Sequence, residues 1–122
     1  MDKKTVLIVE DSPYLADSLS DMVELRGHHP VVALSGKEGV KQALELHPNL
    51  ILLDIRLPDI DGYAVFNAIR EDSWGKHANI MILTASESKE NIMKNLDLPE
   101  TKVLLKPDWS VPDLVKKIDA SL

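Results

Sequence analysis

Five short apolar runs set the terms on which this chain can fold: Val6-Leu7-Ile8-Val9, Val31-Val32-Ala33-Leu34, Leu50-Ile51-Leu52-Leu53, Ile80-Met81-Ile82-Leu83 and Val103-Leu104-Leu105. Each is continuous rather than alternating, as in strands buried on both faces of a parallel sheet. The runs are too short to be buried helices, which need ten or more residues. Between them lie helix-length amphipathic segments with start signals. Ser12-Pro13 supplies an N-cap and a proline for the first helical position. Leu15, Leu19, Met22 and Val23 then share a face, and Gly27 ends the helix. Ser35 with Glu38 reads as a capping box ahead of Val40, Ala43 and Leu44. Asp61-Gly62 opens a third helix carrying Val65, Ala68 and Ile69. A weaker fourth spans 88–96, with Ile92, Met93 and Leu96 on one side. Ser110 with Asp113 starts the last, whose stripe is Val111, Leu114, Val115, Ile118 and Leu122. Strand–helix alternation repeated five times predicts an open α/β sheet with helices on both faces.

With 122 residues, the expectation is one domain spanning 1–122. An apolar fraction of 44% argues against disorder. The net charge of −6 disfavours direct binding of nucleic acid or of an anionic membrane. The absence of cysteine excludes disulfides, thiolate metal sites and a cysteine nucleophile. No apolar run exceeds four residues, and the N-terminal one is too short for a signal peptide. A cytoplasmic protein is the expectation.

In open α/β sheets, ligands bind beyond the carboxyl ends of the strands. Glu10 and Asp11 follow the first run, Asp54 ends the third, Thr84 and the small Ala85 end the fourth, and Lys106-Pro107 ends the fifth. Singly, each has an ordinary structural explanation as cap, strand former or solvated cation. Jointly, they put three carboxylates, a hydroxyl and an ammonium on one sheet edge. Clustered carboxylates repel one another, and a hard cation with room for waters, such as Mg²⁺, relieves that repulsion. Asp54 is then a candidate nucleophile toward a phosphoryl group, with Lys106 and Thr84 placed to hold the transferred group.

These residues resemble the receiver domain of two-component response regulators, the CheY-like family. The resemblance rests on Glu10-Asp11, on Asp54 within Asp54-Ile55-Arg56-Leu57-Pro58-Asp59-Ile60-Asp61-Gly62, on Thr84-Ala85 and on Lys106-Pro107, and it covers the chain end to end. It implies a doubly wound, flavodoxin-like parallel sheet in order 2-1-3-4-5, with helices 1 and 5 on one face and 2, 3 and 4 on the other. It implies Mg²⁺ held by Glu10, Asp11, Asp54 and the backbone carbonyl of Arg56, and a cis Lys106–Pro107 bond. It implies phosphoryl transfer to Asp54 from a sensor histidine kinase or phosphotransfer protein, with Thr84 and Lys106 holding the group. Such a chain is a switch that acts only on its own phosphorylation, signals to a downstream protein or effector domain, and can pair as a homodimer through the face made by helix 4, strand 5 and helix 5.

The sequence departs from the family on that face. Val103 stands where an aromatic often lies, three positions before the lysine. Leu96-Asp97-Leu98-Pro99-Glu100-Thr101 replaces a common Gly-Ala turn, and Asp108-Trp109 follows Lys-Pro. The expectation is a switch that runs through Thr84 and helix 4 without an aromatic rotamer. Arg56 and Ser86, two residues past Asp54 and Thr84, flank the expected path of the attacking water. His28, His29, His47 and His77 share no spacing and read as surface residues, and Trp74 and Trp109 as packing residues. The alternative reading is a receiver-like interaction module that is never phosphorylated; such modules usually lose the acidic pair, the acceptor or the lysine, and this sequence keeps them all. A haloacid-dehalogenase-type phosphatase needs a second Asp where Arg56 stands. A flavodoxin-like cofactor binder needs a phosphate loop where Glu10-Asp11-Ser12-Pro13 would repel phosphate.

Overall fold

In the computed structural model, which describes residues 3–85 and 87–122, every apolar run forms a strand and every amphipathic segment a helix. β1 (Thr5–Val9), β2 (His29–Ala33), β3 (Leu50–Leu53), β4 (Ile80–Thr84) and β5 (Val103–Leu105) alternate with α1 (Pro13–Leu25), α2 (Gly36–Leu46), α3 (Gly62–Glu71), α4 (Lys89–Leu96) and α5 (Val111–Ala120). All pairings are parallel and the strand order is β2-β1-β3-β4-β5, as the resemblance implies.

Local chemistry starts every helix. Ser12, Ser35, Asp61, Ser88 and Ser110 accept the backbone N–H groups of Leu15, Glu38, Ala64, Asn91 and Asp113, contacts worth about 1 kcal/mol each. Glu38 turns its own carboxylate to Gln42 at 2.7 Å. Gly27, with φ +86°, takes the left-handed conformation that ends α1.

The strands divide the core by their two-residue period. Val6, Ile8, Leu52, Met81 and Leu104 meet Leu19, Val23, Leu114, Val115 and Ile118 of α1 and α5. Leu7, Val9, Ile51, Ile82 and Val103 meet Ala43, Val65, Ile69 and Ile92 of α2, α3 and α4. A fully buried Leu or Ile contributes about 1.5–3 kcal/mol, so this two-sided burial is what holds the sheet in place.

Two expectations are corrected. β2 begins at His29 and ends at Ala33, leaving Leu34 47% exposed, and it is only partly buried. It is an edge strand, and that is why it tolerates Pro30, which lacks an N–H for the ladder. The Lys106–Pro107 bond is trans, since no cis peptide occurs among the described residues. Lys106–Asp108 close a 3-10 turn with proline in its first turn, which suits the ring's fixed φ. The descent from α4 is capped by Asp97 in the left-handed region, and Pro99 introduces a second 3-10 turn, Glu100–Lys102.

Candidate functional site

Sheet register brings the polar residues together. The Glu10 N–H donates to Ala33 O and the Asp54 N–H to Val9 O, both at 3.0 Å, which extends the ladder one residue past β1 and β3. Glu10 and Asp54 therefore leave adjacent strands side by side. Thr84 ends β4 opposite Leu105, so Lys106 emerges one residue beyond on β5. From there its side chain crosses β4, over a strand separation of about 4.8 Å each time, to reach Asp54 Oδ2 at 2.9 Å and Glu10 Oε1 at 2.6 Å. The small Ala85 lies beside that path. Asp11, Asp54, Arg56, Thr84, Ala85 and Lys106 line one open cleft.

The electrostatics follow from burial. Glu10 is 3% exposed and Asp54 5%. Loss of water pushes the Glu10 carboxyl up to about 7, and a hydrogen bond with Asp54 adds to that rise against the pull of Lys106. Burial raises Asp54 too, but the bonds from Glu10 and Lys106 outweigh it and hold Asp54 below the ordinary carboxylate range. Burial lowers Lys106, and its two carboxylate partners more than reverse this. The site therefore holds Asp54 as the anion, Lys106 as the cation and Glu10 poised near neutrality.

Glu10, Asp11 and Asp54 each present a carboxylate oxygen within 4.8 Å of the others. No donor among the described residues faces the buried Glu10 Oε2. Hard oxygen donors around an unsatisfied buried oxygen fit a small divalent cation of the Mg²⁺ type, so the acidic cluster can hold a metal.

All six site residues expected from the sequence lie in or beside the cleft. The Arg56 side chain is exposed, and the Arg56 backbone N–H donates to Asp54 Oδ1 at 3.3 Å. Thr84 is fully buried. Ser86 falls outside the described residues. His28 is not a simple surface residue: its side chain is 16% exposed and Nε2 lies 2.8 Å from Asp119 on α5. His47 stacks on Trp74 with ring centroids 4.4 Å apart.

Two features escaped the sequence reading. Asp59 caps α2 from a distance, accepting the Gly36 N–H at 2.7 Å and the Lys37 N–H at 2.9 Å. The Lys37 N–H foremost, together with those of Ile60 and Gly36, holds its carboxyl at about 2. Tyr63, on the first turn of α3, donates its hydroxyl to Glu87 just ahead of α4. Neither pairing leaves a local pattern, because the partners lie on different segments.

Residues 6–119 match the family described as response regulator receiver domain. This chain belongs to that family. The receiver is 30% identical over 117 residues to the DNA-binding dual master transcriptional regulator RpaA of Synechocystis sp., a match covering 96% of this chain and 48% of RpaA. It is 35% identical over 107 residues to the nitrate/nitrite response regulator protein homolog of Haemophilus influenzae, covering 86% of this chain and 50% of that protein. The chain thus spans about half the length of these two relatives. Its fold superposes on the chemotaxis response regulator CheY4 of Vibrio cholerae with a TM-score of 0.87 at 26% identity, covering 99% of this receiver and 100% of CheY4. No helix among its described residues is long and apolar enough to cross a membrane.

Proposed function

We propose that this receiver, a single domain over residues 1–122, accepts a phosphoryl group on Asp54 from a phosphohistidine of a sensor histidine kinase or phosphotransfer protein. The observation that carries the reading is Asp54 itself: an ionised carboxylate lining an open cleft, held between the Lys106 ammonium and an acidic pair. An Asp54 carboxylate oxygen forms the new bond to phosphorus as the imidazole N–P bond breaks. The leaving nitrogen keeps that electron pair and takes up a proton, so the product is an acyl phosphate.

The chain's own residues answer the charge that arrives. Lys106 already lies 2.9 Å from Asp54 Oδ2 and can follow the charge onto the phosphoryl oxygens. The Thr84 hydroxyl, at the end of the neighbouring strand, donates to another of those oxygens. Mg²⁺ held by Glu10, Asp11, Asp54 and the Arg56 backbone carbonyl would supply charge neutralisation between the acceptor and the incoming group. Phosphorylation adds about −1.5 to −2 charge at neutral pH, enough to shift a two-state equilibrium in the segment around Thr84 and α4. The change is read by a downstream protein or effector domain in the cytoplasm, or by a second copy across the α4–β5–α5 face. The net charge of −6 argues that nucleic acid is not a direct ligand of this domain.

Incubation with acetyl phosphate and Mg²⁺ tests the reading. Intact mass should show one added phosphoryl group, and Asp54→Asn should remove it. Uptake by Asp54→Asn at the wild-type rate would refute the assignment.

A further inference from the structure

The chain that carries Thr84 and Ala85 into the phosphorylation cleft is tied down just beyond it. Glu87 Oε2 accepts the Tyr63 hydroxyl and also the Asn91 Nδ2–H at 2.8 Å. Asn91 is itself held by the Ser88 cap of α4. Glu87 therefore joins the first turns of two helices, α3 and α4.

Tyr63, in turn, is fixed relative to Asp54. The Gly62 N–H donates to Ile55 O at 2.7 Å. A Cβ at Gly62 would stand 2.4 Å from Asp54 O and 2.6 Å from Ile55 Cα. Only glycine lets the start of α3 lie this close to the backbone of the acceptor residue. Any residue anchored to Tyr63 thus shares a frame with Asp54. Arg56 lines both the phosphorylation cleft and the smaller cleft walled by Tyr63 and Glu87, so the two are neighbours. The Tyr63 hydroxyl is held protonated above its ordinary range, first by burial and then by the Glu87 carboxylate, as a donor in such a contact must be.

We infer that the Tyr63–Glu87 hydrogen bond is a positioning contact for the phosphoryl group. It anchors the chain three residues past Thr84 to the frame that carries Asp54, so that Thr84 and Ala85 are ordered before the group arrives. Val103 provides no ring to perform such ordering from β5, and the tie comes from α3 instead. The inference rests on Asp54 as the acceptor. Binding that must first order its own contacts is weakened by the cost of that ordering. A hydrogen bond to a charged acceptor is strong enough for its loss to weaken binding about tenfold.

The test is the apparent affinity of the intact chain for beryllofluoride in saturating Mg²⁺, read by fluorine NMR well below the melting temperature. Tyr63→Phe and Glu87→Ala should each bind about tenfold more weakly, and the double variant no more weakly than either. Glu87→Gln, which keeps an acceptor oxygen, should retain most of the affinity. Mg²⁺ affinity measured without beryllofluoride should be unchanged in all four, since neither residue touches the acidic cluster; a general loosening of the fold would weaken both. If Tyr63→Phe does not fold, Glu87→Ala carries the same comparison. Wild-type beryllofluoride affinity in Tyr63→Phe and Glu87→Ala, tighter binding, or a Glu87→Gln loss equal to that of Glu87→Ala would overturn the inference and leave the acceptor assignment intact. Failure of the wild-type chain to bind, or equal binding by Asp54→Asn, would overturn both.

Discussion

Glu10→Gln tests the electrostatics of the site most directly. Glu10 is 3% exposed, and its carboxyl is pushed up from 4.5 to about 7. An acid whose pKa is raised by folding binds more protons folded than unfolded, so stability falls as pH rises between the two values. Each pKa unit corresponds to 1.36 kcal/mol, so ionising Glu10 costs the metal-free fold about 3 kcal/mol by pH 8. Against a total stability of about 5–15 kcal/mol, that is a large fraction. Glutamine keeps the shape and neutrality of the protonated acid at every pH. Urea unfolding followed by circular dichroism, with chelator present and pH stepped from 4.5 to 8, should show a declining wild type and a Glu10→Gln variant without that decline. The two should coincide near pH 4.5 and separate by about 3 kcal/mol at pH 8, with the variant the more stable. The neighbouring shifts act elsewhere: lowered Asp54 below its unfolded value of 3.8, and raised Lys106 above 10.5. Parallel profiles, or a wild type more stable at pH 8, would refute the reasoning.

Mg²⁺ at 100 times its dissociation constant should stabilise the wild type by about 2.7 kcal/mol, raising the melting temperature by about 10 °C. Asp11→Asn, at an exposed position, should abolish that shift and leave metal-free stability within about 0.5 kcal/mol; an unchanged Mg²⁺ shift would exclude Asp11 as a ligand. Gly62→Ala should destabilise by about 1–3 kcal/mol in urea unfolding, because the added methyl meets Asp54 backbone that cannot yield cheaply. Val103→Tyr should lose a similar amount, about 1–3 kcal/mol, because Val103 is fully buried between the sheet and α4; a neutral result would mean that this core has room for the ring. Asp119→Ala should lower stability by about 1–2 kcal/mol by removing the partner of half-buried His28, with no change in Mg²⁺ affinity.

Strands, helix starts and the gathering of the candidate site residues at the strand ends were legible in the sequence because each is written in neighbours. Ser12, Ser35, Asp61, Ser88 and Ser110 all cap an amide three residues on, and the apolar runs declare burial on both faces. Placing Glu10, Asp54, Thr84 and Lys106 at strand ends required only the rule that parallel sheets carry their ligands there. The contacts between those residues were decided by tertiary structure. Lys106 and Glu10 are separated by 96 residues, His28 and Asp119 by 91, and Tyr63 and Glu87 by 24. No periodicity relates such partners; strand order and register do. The same holds for β2, whose apolar run reads as buried on both faces, whereas its place at the sheet edge leaves it only partly buried. The poise of Glu10 near neutrality also belongs to the fold, because water leaves that carboxyl only when five strands and the helices on both faces close around it.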